Sequence, residues 1–114
     1  MSRADGVAPA RLKDAAPLFS ALGDETRLGL LIKLSSAGPL SITRLAAKSP
    51  VSRQAISKHL DVLEGAGLVR SCRSGRERIW ELSPTRFHDA HQYLARISRQ
   101  WDDALERLRK FVER

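Results

Sequence analysis

The chain has 114 residues, 42% hydrophobic and 29% charged, a balance that supports one folded domain and excludes a low-complexity or disordered chain. A formal net charge of +7 selects polyanions as partners, nucleic acid ahead of an anionic membrane surface, and there is neither an apolar run long enough to span a bilayer nor a signal-like start. The single cysteine, Cys72, excludes an internal disulfide and fits a reducing compartment, so a cytoplasmic location is expected, nucleoid-associated when DNA is bound.

Residues 1–10 mix Gly, Ala, Pro and Ser without a period, which predicts a flexible N-terminal tail before one domain over 11–114. Over 11–22, Leu12, Ala15, Ala16, Phe19 and Leu22 follow helical spacing around Pro17. Two starts fit. With Asp14 as N-cap, Pro17 falls in the first turn, where its missing N–H costs nothing; with an earlier start, Pro17 should kink the helix. Gly23 then stops this helix and Asp24 caps the next. Over 24–36, Leu28, Leu30, Leu31, Ile32 and Leu34 spread so widely that burial on most sides is expected. Gly38-Pro39 ends that helix, and Ser41 can cap a short one with Ile42, Leu45 and Ala46 inward.

The turn Ser49-Pro50-Val51 leads into 52–63, where Ile56, Leu60 and Leu63 recur at i, i+4 and i+7 and so form one buried stripe. The opposite face carries Arg53, Gln54, Ser57, Lys58 and Asp61, and Ser52 suits the N-cap. Two helices joined by a tight turn, the second with a polar leading face, is the helix-turn-helix layout, with this second helix as the reading helix. On that reading Arg53 and Gln54 meet base edges while Ser52, Ser57 and Lys58 hold phosphates. His59, next to apolar Leu60, borders the core or touches phosphate. After Gly65-Ala66-Gly67, the runs 69–73 and 77–82 around Ser74-Gly75 read as a β-hairpin. Arg73, Arg76 and Arg78 at its tip make it a wing that grips phosphates or enters a minor groove.

Ser83-Pro84 opens a long last helix, with Ser83 as cap. Leu94, Ile97, Trp101, Ala104, Leu108 and Phe111 advance by threes and fours as a narrow seam that Leu105 and Val112 widen. Such a seam either folds back on its own domain or pairs with a second copy. Pairing is the expectation, since helix-turn-helix proteins usually read two half-sites as dimers; Leu12, Phe19, Leu94, Ile97, Trp101, Leu105, Leu108 and Phe111 form the expected interface. The fold class is therefore mainly α with a β-hairpin wing, a winged helix-turn-helix of four helices, a hairpin and a terminal helix.

The segments Leu18-Phe19-Ser20-Ala21-Leu22-Gly23-Asp24-Glu25-Thr26-Arg27-Leu28, Val51-Ser52-Arg53-Gln54-Ala55-Ile56-Ser57-Lys58-His59-Leu60, Glu64-Gly65-Ala66-Gly67-Leu68-Val69 and Gly75-Arg76 resemble the ArsR/SmtB winged-helix repressors. The resemblance runs from about Leu18 to the hairpin. It implies a homodimer joined by its first and last helices, bound to an inverted-repeat operator in double-stranded DNA near its own promoter and released by an inducer. The family's cysteine-type metal site falls on Ser41 and Thr43, neither a thiol, and its zinc-type site on Pro84, Arg86, Ile97 and Gln100. No metal and no cofactor is therefore expected, and the chain looks like the metal-independent branch, whose inducer, small molecule or protein, is open. A displaced set of His88, Asp89, His91, Asp102 and Glu106 remains an alternative zinc site between subunits. Cys72 is either a small packed strand residue or, with Arg70, Arg73 and Arg76 near it, a redox sensor. The competing function is a non-specific, architectural nucleic-acid binder. No nucleophile elbow, phosphate-binding glycine loop or ordered ligand series points to an enzyme.

Overall fold

The computed structural model describes residues 9–113, with side chains from Lys13 onward. The elements are α1 (Pro9–Leu22), α2 (Glu25–Ala37), β1 (Leu40–Ser41), α3 (Ile42–Ala46), α4 (Arg53–Gly65), β2 (Val69–Ser74), β3 (Glu77–Leu82) and α5 (Pro84–Val112). Of the expected tail, residues 1–8 lie outside the described residues, while Pro9 and Ala10 already belong to α1. The earlier of the two starts is therefore the one adopted. Asp14 is not a cap, and Pro17 sits inside the helix.

The buried face of α1 is Ala15, Leu18 and Ala21, with Phe19 and Leu22 partly covered and Ala16 exposed. That face is rotated from the expected stripe. With apolar residues at both 18 and 19, the period gives the width of a stripe and leaves its direction to the packing partner. Asp24 caps α2, its Oδ2 accepting from the Arg27 N–H at 3.0 Å. Gly38 ends α2 at φ 83, its N–H donating to Leu34 O at 3.0 Å. Leu30, Leu31 and Leu34 are buried, but Leu28 is 44% and Ile32 66% exposed, so α2 is not enclosed on most sides. Leu28 and Ile32 instead line an open groove with Leu22, Leu82 and Phe87.

Directly after Pro39 comes a strand of two residues that the hairpin reading did not contain. Leu40 pairs with Trp80 and Ser41 with Ile79, which makes the wing part of a three-stranded antiparallel sheet of order β1-β3-β2. Two residues are too few to show a period. Ser41, buried at 6% exposure, also caps α3, its Oγ accepting from the Arg44 N–H at 3.2 Å. Leu45, Ile56, Leu60, Leu63, Leu68, Val69 and Trp80 join α2 and Ala90 of α5 in one core. At α5 the expected Ser83 cap is corrected: its side chain makes no capping bond, and its N–H donates to Leu68 O at 2.9 Å instead. Pro84 at the first helical position lacks an N–H, so one of the donors that a helix start leaves unpaired is absent there.

Candidate nucleic-acid interface

Helix α4 is built from its cap outward. Ser52 Oγ accepts from the Ala55 N–H at 3.1 Å, and Ile56 at 1%, Leu60 at 0% and Leu63 at 0% exposure root α4 in the core. With that stripe fixed, helical geometry directs Arg53, Gln54 and Lys58 to solvent, where all three are exposed, and leaves Ser57 partly covered. The turn before it spans 47–52 and reverses at Lys48, whose φ of 61 lies in the left-handed region, rather than at Pro50 alone. Val51 N–H donates to Ser49 Oγ at 3.1 Å, which tightens the approach to the cap.

His59 is turned toward the α1–α2 corner. Its Nδ1 lies 3.2 Å from Arg27 Nη1 and 3.8 Å from Asp24 Oδ2, while Arg27 Nε donates to Ala21 O at 2.7 Å. With a guanidinium donating to it, Nδ1 acts as an acceptor. His59 thus joins the reading helix to the body of the protein, the core-bordering alternative, rather than standing on the leading face. The same cluster holds the Asp24 carboxyl below the ordinary carboxylate range, first through the Arg27 backbone N–H and then through the charge of Arg27, against a desolvation that pushes the other way.

The wing closes with Ser74 opposite Glu77 across Gly75-Arg76, and Gly75 at φ 66 supplies the positive φ that a two-residue hairpin turn of type II′ needs at its first position. One pair inward, Arg73 lies directly opposite Arg78, and both are exposed, as is Arg76 at the tip. Like charges in direct cross-strand register are unfavourable without a counter-charge. Arg78 lies over Trp80, 6.0 Å from the ring centroid, and Arg70 pairs with Glu81 at 2.8 Å. Arg70 is therefore neutralised at the wing base, whereas the three arginines of the tip are presented outward. Ser71 Oγ donates to Glu64 Oε2 at 3.3 Å and ties the wing to the last turn of α4.

At the positions of the cysteine-type metal site, Ser41 is buried as a cap and Thr43 is an exposed hydroxyl. At the zinc-type positions stands Arg86, a permanent cation whose Nη1 lies 3.1 Å from Asp89 Oδ2. Asp89, a member of the displaced set, is thereby engaged, and among the described residues no group of three or more His, Cys, Asp or Glu side chains of one chain converges. Cys72 is exposed, which corrects its reading as a packed residue. On its strand face it shares a side with Arg70, already paired to Glu81.

A helix-turn-helix domain family matches residues 22–72, the span from the end of α1 through the reading helix into the wing. The chain is 45% identical to the HTH-type transcriptional regulator YuzN of Bacillus subtilis, the match covering 59% of this chain and 77% of that protein. It is also similar to the HTH-type transcriptional repressor SmtB of Mycobacterium tuberculosis, at 31% identity over 85% of this chain and 70% of that protein. An ArsR-like transcriptional regulator from Rhodococcus sp. RHA1 superposes with a TM-score of 0.74 at 37% identity, covering 90% of this chain and 95% of that one. The chain belongs to the ArsR/SmtB family. Membership makes it a DNA-binding winged helix-turn-helix transcriptional regulator. Sequence reasoning missed three supports of α4 and the wing: the Arg27–His59 contact, the Glu64–Ser71 contact and the strand β1. The first joins residues 32 positions apart, and the second crosses from a helix to a strand; neither leaves a periodic pattern in the sequence. Among the described residues, no helix is long and apolar enough to cross a membrane.

Proposed function

We propose that the chain is a homodimeric, sequence-specific repressor that binds an inverted-repeat operator in double-stranded DNA and is released by an inducer, acting in the cytoplasm on the chromosome. The observation that carries it is the exposed edge of Arg53, Gln54 and Lys58 on a core-anchored helix, set beside a wing whose Arg73 and Arg78 face each other unneutralised. A polyanion relieves that repulsion, and a rooted helix presents its donors in a fixed array, as base reading requires. Arg53 and Gln54 read bases; Ser52, Ser57 and Lys58 hold phosphates, and Arg73, Arg76 and Arg78 anchor the wing. His59 supports the helix from behind rather than meeting DNA.

The dimer reading rests on α5. Its 29 residues extend about 43 Å at helical rise, and Trp101, Leu105 and Leu108 are each more than half exposed. Leu94 and Phe111 are exposed on the same seam, Ile97 is half-buried, and Phe19 packs on Tyr93 of its own chain with ring centroids 5.5 Å apart. Phe19 thus supports α5 more than it offers a free surface, and the Leu12 side chain lies outside the described residues.

Selection of bound fragments from genomic DNA, followed by binding to the selected and a scrambled duplex at several salt concentrations, tests the reading. A palindromic consensus bound at least a thousandfold more tightly than the scrambled duplex is expected on the usual scale of specific recognition. Equal affinity for both would replace it with the architectural alternative.

A further inference from the structure

We propose that Arg86 is a positioning residue that braces the C-terminal end of the reading helix against the pairing helices, so that the placement of Arg53 and Gln54 on DNA depends on this side chain as well as on the core stripe and His59. The inference rests on the proposed roles of α4 in reading and of α1 and α5 in pairing. Arg86 lies in the first turn of α5, and its side chain is only 23% exposed. The guanidinium reaches three elements at once. Nε donates to Ala66 O at 3.5 Å, just past the last turn of α4; Nη2 donates to Asp14 O at 3.1 Å on α1; and Nη1 reaches Asp14 Oδ2 at 3.4 Å and Asp89 Oδ2 at 3.1 Å. Only a planar fork with donors on several sides can serve acceptors so placed, and a lysine ammonium cannot.

The chain is also shaped to admit this side chain. Gly67 takes φ 80, and a Cβ there would stand 2.7 Å from Arg86 Cγ. The glycine that ends the reading helix therefore leaves the space through which the arginine stem passes. Beside it lies a cavity of about 530 Å³ lined by Lys13, Pro17, Glu64 and Gly65 among others, so few other atoms brace this junction. Among the described residues, further ties are the Ser83 N–H on Leu68 O at 2.9 Å and, nearer the middle of α4, the His59–Arg27 contact whose guanidinium donates to Ala21 O of α1.

Lever length shows why the joint matters. From its C-terminal end to Arg53, α4 is 13 residues, or roughly 18 Å at 1.5 Å per residue, so a tilt of about 5° at the joint displaces Arg53 by about 1.5 Å. Directional contacts tolerate about 0.5 Å. Loosening Arg86 should therefore degrade sequence reading while leaving charge-driven binding in place.

The experiment uses the full chain with Arg86→Met, which keeps the stem and loses the donors, Arg86→Lys, and Asp14→Asn, which keeps the α1 carbonyl. Affinities are measured on the selected and the scrambled duplex, alongside hydrogen exchange of amides 60–68. For Arg86→Met, a loss of at least tenfold on the selected duplex is expected, with less than threefold on the scrambled one and an unchanged solution mass. Arg86→Lys should recover less than half of that loss, on a logarithmic scale, and Asp14→Asn, which loses the ionic contact but keeps the α1 carbonyl, should lose less than Arg86→Met. Amides 60–68 should exchange about tenfold faster in Arg86→Met. Equal losses on both duplexes would make Arg86 a general stabiliser or a phosphate contact and overturn the proposal, as would no loss at all. If Arg86→Met does not fold, Arg86→Lys carries the same comparison. If the wild type itself shows no preference between duplexes, the repressor reading fails separately, and unchanged exchange at 60–68 then rejects the Arg86 joint by itself.

Discussion

Single side chains divide the work of the reading head in ways that substitution can separate. Arg53→Ala or Gln54→Ala should relax preference at one operator position by about 1–3 kcal/mol, whereas Lys58→Ala or Arg76→Ala should weaken binding to every sequence and reduce the salt slope by about one unit. Affinities on point-mutated operators across a salt series check both. Asp24 is a different case, because its carboxyl titrates lower in the folded protein than its ordinary value of 3.8. A lowered carboxylate contributes stability that is present above the unfolded value and is lost as pH falls through the folded one. Acid below about pH 4 should therefore loosen the α1–α2 corner, and Asp24→Asn, which can still cap α2, should flatten that part of a denaturation series; an undiminished slope would place the acid sensitivity elsewhere. Residue types and spacing identified the Asp24 cap and the exposed Arg53 and Gln54. They gave no sign that His59, one residue from the buried stripe, meets Arg27, since that contact exists only once α2 and α4 pack.

Elements carry their own consequences. The stripe of Ile56, Leu60 and Leu63 left little freedom in how α4 could sit, because one face is apolar and the other is not, and all three residues are buried as their spacing requires. Helices α1 and α2 were less determined. Both have apolar residues on more than one side, so the period gave helix and the neighbours chose the face, leaving Ala16 and Ile32 in solvent. The wing shows a conflict between stability and function at element level. Arg73 and Arg78 repel across the ladder, so Arg73→Thr should raise the thermal midpoint, by an amount equivalent to about 0.2–1 kcal/mol, while weakening DNA binding at low salt. Calorimetry and a binding titration on the same preparation measure the two effects, and a fall in both would show that the pair is not a source of strain.

The molecule as a whole is elongated. Its Cα radius of gyration is 18.1 Å, against about 13 Å for a compact domain of this length. The distal half of α5 is exposed throughout, with Trp101 at 66% and Leu105 at 62%. A monomer gains nothing from ordering such a seam, since the apolar area it presents stays in water. Trp101→Asp should therefore halve the mass in solution and abolish the concentration dependence of the melting temperature expected of the wild type. A wild type that sediments as a monomer would instead leave the seam to a different partner.

The sequence by itself determined the helix-turn-helix, the exposed polar face of α4 and the arginine tip of the wing, because each is written in local spacing: period, cap, turn and charge sign over a few residues. Only the tertiary structure decided which face of α1 and α2 is buried, that Leu40–Ser41 pairs with β3, that His59 supports the reading helix from behind, and that Arg86 joins α1, α4 and α5. Those are contacts between residues as many as 72 positions apart, and they arise when elements dock rather than when they form. Local spacing records the formation of an element, and docking leaves its trace only in three dimensions.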